Sequence, residues 1–119
     1  MDVFKIKIKF FETITGKQPF MEWVNKLDVK TKTVVTVRMG RVRAGNLGDC
    51  KQIKGQRGIW EFRIDYGPGY RVYFGKEAAD IVVLLIAGSK SSQARDIAKA
   101  GRYWIEYLEL NYDKKSKKI

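Results

Sequence analysis

Apolar and polar residues alternate along this chain at two distinct periods. A period of two marks a strand, whose side chains point alternately to opposite faces; recurrence at three and four residues marks one face of a helix. The clearest stretch runs from Ile59 to Lys90. Trp60, Phe62 and Ile64 alternate with Glu61, Arg63 and Asp65, and beyond Gly67-Pro68-Gly69, Tyr70, Val72 and Phe74 alternate with Arg71 and Tyr73. This pattern predicts a hairpin with a buried aromatic face and an open polar one. The polar face carries arginines, a carboxylate and a phenol, so function is expected there. A second turn is expected over Gly75 to Ala79, leading into Ile81–Ile86, which is apolar on both faces and so reads as a central strand.

Upstream, Phe4, Ile6, Ile8 and Phe10 alternate with Lys5, Lys7 and Lys9, which predicts a strand over Val3–Phe11 with lysines protecting its outer edge. Gly16 breaks that pattern. Pro19 suits the first turn of a helix that places Phe20, Trp23, Val24 and Leu27 on one side. From Asp28 to about Ala44 two signals conflict. Thr31, Thr33, Val35, Val37 and Met39 alternate as in a strand, whereas the length, the capping Asp28 and the terminating Gly45-Asn46 argue for a helix. Length and caps favour the helix, giving a helical hairpin packed on one side of the sheet. A short strand is expected within Leu47–Gly55. After Gly88-Ser89, capped by Ser91 or Ser92, a last helix places Ala94, Ile97, Ala98, Gly101, Trp104, Ile105 and Leu108 in an apolar stripe that reads as a packing face.

The expected fold is therefore α+β: a mainly antiparallel twisted sheet, an N-terminal helical hairpin and a C-terminal helix. At 119 residues it should form a single domain over 1–110, with 111–119 as a basic disordered tail. A net charge of +11 points to polyanionic partners, nucleic acid first. The absence of histidine and the single Cys50 exclude the usual zinc sites, an internal disulfide and His-dependent nucleophiles. Asp49, Glu61 and Asp65 are too few, among too many cations, for a two-metal nuclease, so no metal or other cofactor is expected. The alternating start is not a signal peptide, and Ile81–Ala87 is too short to span a bilayer, so the expectation is a cytoplasmic protein without membrane contact.

Five segments in order then carry a resemblance. They are Gly16-x-x-Pro19-Phe20-x-x-Trp23-x-x-x-Leu27, Arg43-x-Gly45-Asn46-x-Gly48-Asp49-x-Lys51, Gly58-Ile59-Trp60-Glu61-x-Arg63-Ile64, Gly67-Pro68-Gly69-Tyr70-Arg71-Val72-Tyr73-Phe74 and Gly88-x-Lys90-x-x-Gln93-x-x-Asp96-Ile97-x-x-Ala100. Together they resemble the RelE/ParE superfamily of type II toxin–antitoxin toxins, and within it the HigB-like, phage-related addiction module killer branch. The resemblance implies a RelE-like fold, ribosome-dependent mRNA cleavage that blocks translation, and neutralisation by a cognate antitoxin of helix-turn-helix type. ParE-like members inhibit DNA gyrase instead, and a basic nucleic-acid-binding protein without enzymatic activity is a further alternative.

Metal-free RNA cleavage needs a base for the ribose 2′-hydroxyl, an acid for the departing 5′-oxygen and cations over the phosphoryl oxygens. Without histidine the candidates are few. Arg71 is the first, because family arginines on the equivalent strand contact the scissile phosphate. Arg63 is a second bidentate clamp. Tyr73 is expected to stack on a base or donate a proton, and Glu61 to act as base or to orient the arginines. Lys54 is a candidate base, and Lys51, Lys54, Arg57 and Lys90 are candidate RNA contacts. Lys90 and Gln93 open the last helix, where backbone amides favour phosphate.

Overall fold

The computed structural model describes residues 5–116, with side chains described as far as Asn111. Five strands form one sheet: β1 (Lys7–Phe10), β2 (Cys50–Gln52), β3 (Trp60–Ile64), β4 (Tyr70–Ala78) and β5 (Ile81–Ser89). Their order across the sheet is β1-β5-β4-β3-β2, parallel at β1/β5 and antiparallel elsewhere. The helices are α1 (Pro19–Asn25), α2 (Val29–Arg43) and α3 (Gln93–Ser116), the last entered through a 3-10 turn at Lys90–Ser92. This is an α+β, RelE-like architecture with a C-terminal helix. Val3 and Phe4, expected to begin the first strand, lie outside the described residues. The lysine-bearing β1 is an edge strand, where unpaired backbone benefits from charged side chains.

The conflict over the second helix is decided by its ends and by packing. The Asp28 carboxylate accepts the Thr31 amide at 2.7 Å, satisfying one of the donors a helix start leaves open. At the other end Gly45, at φ +98°, donates to Val42 and lets Asn46 donate back to the Arg41 carbonyl, the paired closure that favours glycine. Thr31, Val35, Arg38, Met39 and Val42 are the buried positions, a helical spacing that β-branching does not override.

α1 and α2 cover one face of the sheet. There Phe20, Val35, Met39 and Val42 meet Phe62, Val72, Phe74, Val82 and Leu84 in a continuous apolar layer. α3 covers the other face, where Ala100 and Trp104 pack with Phe11, Ile59, Tyr73, Val83, Leu85 and Ile86. The β4/β5 register slips between Tyr73/Ile86 and Phe74/Leu84. This bulge sets Leu85 and Ile86 in the same cluster despite their being consecutive.

Several expectations need correction. The polar face of the hairpin is not open: Glu61 and Tyr73 are both fully buried, Tyr73 in the cluster that α3 covers and Glu61 among the side chains of Arg71, Arg63 and Lys51. Gly75 is not in a turn. It lies inside β4, and a Cβ there would stand 2.5 Å from the Trp104 ring, so the missing side chain makes room for that indole. The turn is confined to Ala79-Asp80. The short strand within Leu47–Gly55 shrinks to three residues. On α3 the buried side chains are Asp96, Ala100 and Trp104, flanked by half-buried Ile97, Tyr103 and Tyr107, whereas Ala94, Ala98, Ile105 and Leu108 are exposed. The stripe is thus rotated from the one expected, since Asp96 and two tyrosines join the packed side. Among the described residues neither Ser91 nor Ser92 accepts a backbone amide: the Ser91 hydroxyl meets that of Ser89 at 2.9 Å, and the Ser92 hydroxyl donates to Asp96 Oδ2 at 2.5 Å. The backbone of α3 continues to Ser116, into the expected disordered tail, and residues 117–119 lie outside the described region.

Candidate functional site: a buried carboxylate ringed by cations

Two rows of side chains cross the α3-side face. Pairing sets Lys51, Glu61, Tyr73 and Ile86 in one row. Arg63, Arg71 and Gly88 form the next. The β2 residues reach this row because Arg38 holds the preceding loop. Its guanidinium donates to the Asn46 carbonyl at 3.3 Å and to the Leu47 carbonyl, and it lies 4.8 Å above the Phe62 ring. Gly48, at φ +64°, passes so close that a Cβ would collide with that guanidinium.

The Glu61 carboxylate is the centre of the arrangement. Arg71 Nε lies 3.6 Å from Oε2, while Lys51 Nζ at 3.6 Å and Arg63 Nε at 4.0 Å approach Oε1. Arg63 also faces Asp49 at 3.9 Å. Exposure rises outward: Glu61 is 1% exposed, Arg71 12%, Arg63 44% and Lys51 57%. A buried charge on its own is unfavourable by several kcal/mol or more, so three opposing cations are what makes this carboxylate tolerable. Yet none of the three comes within hydrogen-bond distance. Both Glu61 oxygens, Arg71 Nε and the Tyr73 hydroxyl have no hydrogen-bond partner among the described residues. The three cations therefore face Glu61 at ion-pair distance without hydrogen-bonding to it.

Arg63, Tyr70, Arg71 and Lys90, with Asp49 and Asp65, line an open hollow of about 470 Å³ beside this cluster. Positive charge concentrated in such a concavity attracts an anion, and the planar guanidinium is suited to phosphate oxygens. Tyr73 lies beneath. Burial raises its phenol well above the usual range, reinforced by Glu61 and Asp96 and opposed by Arg71, so the hydroxyl keeps its proton.

The fold therefore gathers Lys51, Glu61, Arg63 and Arg71, and brings Lys90 to the same hollow. Tyr73 adjoins them but is wholly buried, so base stacking is closed to it. Lys54 and Arg57 are exposed in the turn between β2 and β3 and do not line the hollow. Gln93, the first residue of α3, is half-buried. The ring at the surface is Tyr70, which alternation assigned to the apolar face; it is half-buried and meets Trp23 edge-on at 5.5 Å. Its place beside the Gly67-Pro68-Gly69 turn was the available signal, because a strand end escapes full cover. Cys50 is half-buried with its thiol pushed up by burial. Among the described residues no group of three or more Cys, Asp and Glu side chains is placed to hold a metal ion, and no helix is long and apolar enough to cross a membrane.

Comparison with known proteins places the chain among relatives. A model of the family described as Phage derived protein Gp49-like (DUF891) matches residues 22–103. An uncharacterized protein of Haemophilus influenzae is 42% identical over 82 residues, which are 68% of this chain and 81% of that protein. The matched span contains α2, the whole antiparallel block and the first turns of α3, and so every side chain of the cation cluster.

Proposed function

The chain belongs to the Phage derived protein Gp49-like family, a RelE-like family, and from that premise we propose that it is the toxin of a type II toxin–antitoxin module, of the HigB-like branch, cleaving mRNA on the ribosome in the cytoplasm. The observation that supports this reading most is Glu61, 1% exposed and surrounded by Arg71, Arg63 and Lys51 within 4.0 Å. A carboxylate in that position holds Arg63 and Arg71 at the hollow without hydrogen-bonding to them. In the proposed reaction a 2′-oxygen loses its proton and attacks the adjacent phosphorus. The bond from phosphorus to the 5′-oxygen breaks, leaving a 2′,3′-cyclic phosphate, and the 5′-oxygen takes up a proton.

Arg71 and Arg63, with Lys90, neutralise the phosphoryl oxygens as negative charge accumulates on them. Glu61 is a positioning residue, since its burial keeps it from the substrate. The proton transfers fall to Lys51, which is exposed next to Glu61; Lys54, in the neighbouring turn and off the hollow, serves as an outer contact to the message. Proton transfer of this kind contributes about 10²–10⁴-fold; charge stabilisation and placement of the message by the ribosome supply the rest. A cognate antitoxin of helix-turn-helix type neutralises the toxin.

Arg71→Ala and Arg71→Lys test this together. Reporter mRNA in a translation extract is mapped for cleavage, and the fold is followed by circular dichroism. The alanine variant is expected to lose at least about 10²-fold in cleavage. The lysine variant keeps the charge opposite Glu61 and so keeps the fold, yet loses the bidentate clamp and cleaves at an intermediate rate. Parental cleavage by both variants would sink the proposal. Inhibition of gyrase supercoiling by the parent, with messages intact, would replace it.

A further inference from the structure

A second concavity opens on the other side of Tyr70. It has a volume of about 670 Å³ and lies between the α1 region and the start of α3. Its walls carry four cations: Lys17 and Lys26 from the α1 side, Arg95 and Lys99 from α3. Two carboxylates also line it. Glu22 is exposed at the mouth, while Asp96 is buried and occupied by the Ser92 hydroxyl at 2.5 Å. Trp23, Tyr70 and Tyr103 contribute half-buried rings, so each is held by packing and still offers surface to the cleft. Its floor is Gly88, where a Cβ would collide with Asp96.

Cations and partly exposed aromatic rings lining one cleft form a recognisable chemistry. Phosphates track the cations and bases stack on the rings, without any need for a sequence. A duplex hides its base faces and gains nothing from the rings. The cleft also connects with the cation cluster: Tyr70 lines both concavities, and Gly88 is the direct strand partner of Arg71. A polynucleotide with a phosphate at Arg71 therefore has a continuous way past Tyr70 into the cleft.

We infer that the cleft between α1 and α3 is a binding groove for single-stranded RNA, holding the nucleotides that flank the phosphate at Arg71. The assignment of that phosphate rests on the function proposed above; the capacity of the cleft to hold a strand does not. Trp23 and Tyr70 stack bases, and Lys17, Lys26, Arg95 and Lys99 take the phosphates on either side.

Binding of a short labelled oligoribonucleotide to the full-length protein without ribosomes, measured by fluorescence anisotropy across a salt series, tests the groove. Two double variants remove one wall each, Lys17→Glu with Lys26→Glu and Arg95→Glu with Lys99→Glu. Each is expected to weaken binding at least tenfold at about 0.1 M salt, and to reduce the slope of log affinity against log salt by about 1.4, the value for two lost contacts on a single strand. A control with the same change of net charge, Lys30→Glu with Lys32→Glu on α2, should change affinity less than threefold. Trp23→Leu should weaken binding without altering the slope. A DNA strand of the same sequence, sharing phosphates and bases, should show the same dependence on both walls, and duplex RNA should not respond to Trp23→Leu. The inference is overturned if either wall variant binds like the parent, if the control loses as much as they do, or if duplex and single strand respond alike. A parent that binds in this way but cleaves no message defeats the proposed nuclease and leaves the groove standing.

Discussion

On the face beneath α1 and α2, Phe62, Val72, Phe74 and Leu84 form an apolar layer closed by Phe20, Val35, Met39 and Val42. On the opposite face the same strands present Tyr73, Val83, Leu85 and Ile86 to Ala100 and Trp104 for half their width. The other half holds Glu61 with Lys51, Arg63 and Arg71. Alternation along β3 and β4 treats the two faces as one buried and one solvated, yet both are covered. They differ in what covers them. Two helices extend over the first face, while the single helix α3 leaves the β3/β2 side of the second uncapped, and cations gather at that boundary. Burial of a polar group is tolerable where the cover ends, because its partners can reach solvent while the group itself does not.

The comparison breaks most severely at the first face. Phe62→Ala removes a ring that packs 5.7 Å from Phe74 and supports Arg38 at 4.8 Å. A stability loss of about 3–5 kcal/mol in urea denaturation is expected; a loss under about 1 kcal/mol would show that this layer is not a single packed unit. The next largest effect concerns the seat of α3. In Gly75→Ala the new Cβ would lie 2.5 Å from the Trp104 ring, so the indole must shift, at a cost of about 1–3 kcal/mol. The same substitution in a Trp104→Leu background should cost much less. Equal costs in the two backgrounds would mean that Gly75 and Trp104 are not coupled.

The smallest effect sharpens the contrast between the halves of the second face. Tyr73→Phe deletes a buried hydroxyl that has no partner among the described residues. Removing an unsatisfied polar group should leave stability unchanged or raise it by up to about 1 kcal/mol. The thermal midpoint reads this directly. A clear fall would mean that the hydroxyl is hydrogen-bonded in solution and belongs to the Glu61 network.

Much of the fold was legible because its signals are local. Pro19, the Asp28 cap, the Gly45 terminus and the Gly67-Pro68-Gly69 turn each act within a few residues, and each marks the element boundary expected of it. The turn did not by itself give the register; the pairing of Arg63 with Arg71 is a fact of the folded sheet. The packed stripe of α3 differs from the expected one because hydrophobicity ranks Ile105 and Leu108 above Asp96, Tyr103 and Tyr107. In the fold Asp96 is made acceptable inside by the Ser92 hydroxyl, and Tyr107 places its ring flat on Trp104 at 5.5 Å while its hydroxyl donates to Glu77. Gly75 read as a turn because a glycine's conformational freedom is visible in a sequence, whereas the absence of a side chain beneath a distant indole is not.

By itself the sequence determined the kinds of element, the hairpin turn and the residue types available for chemistry: arginine, lysine, tyrosine and glutamate without histidine. Only the tertiary structure decided which of them lie at the surface. It placed Glu61 and Tyr73 under cover, left Arg63 and Lys51 at the rim, and turned Tyr70 and Trp23 toward a second cleft. The reason is that alternation assigns a side chain to a face of the sheet, but exposure depends on where α3 crosses that face. Its position is set by contacts between residues far apart in the chain, such as Trp104 with Gly75 and Gly58.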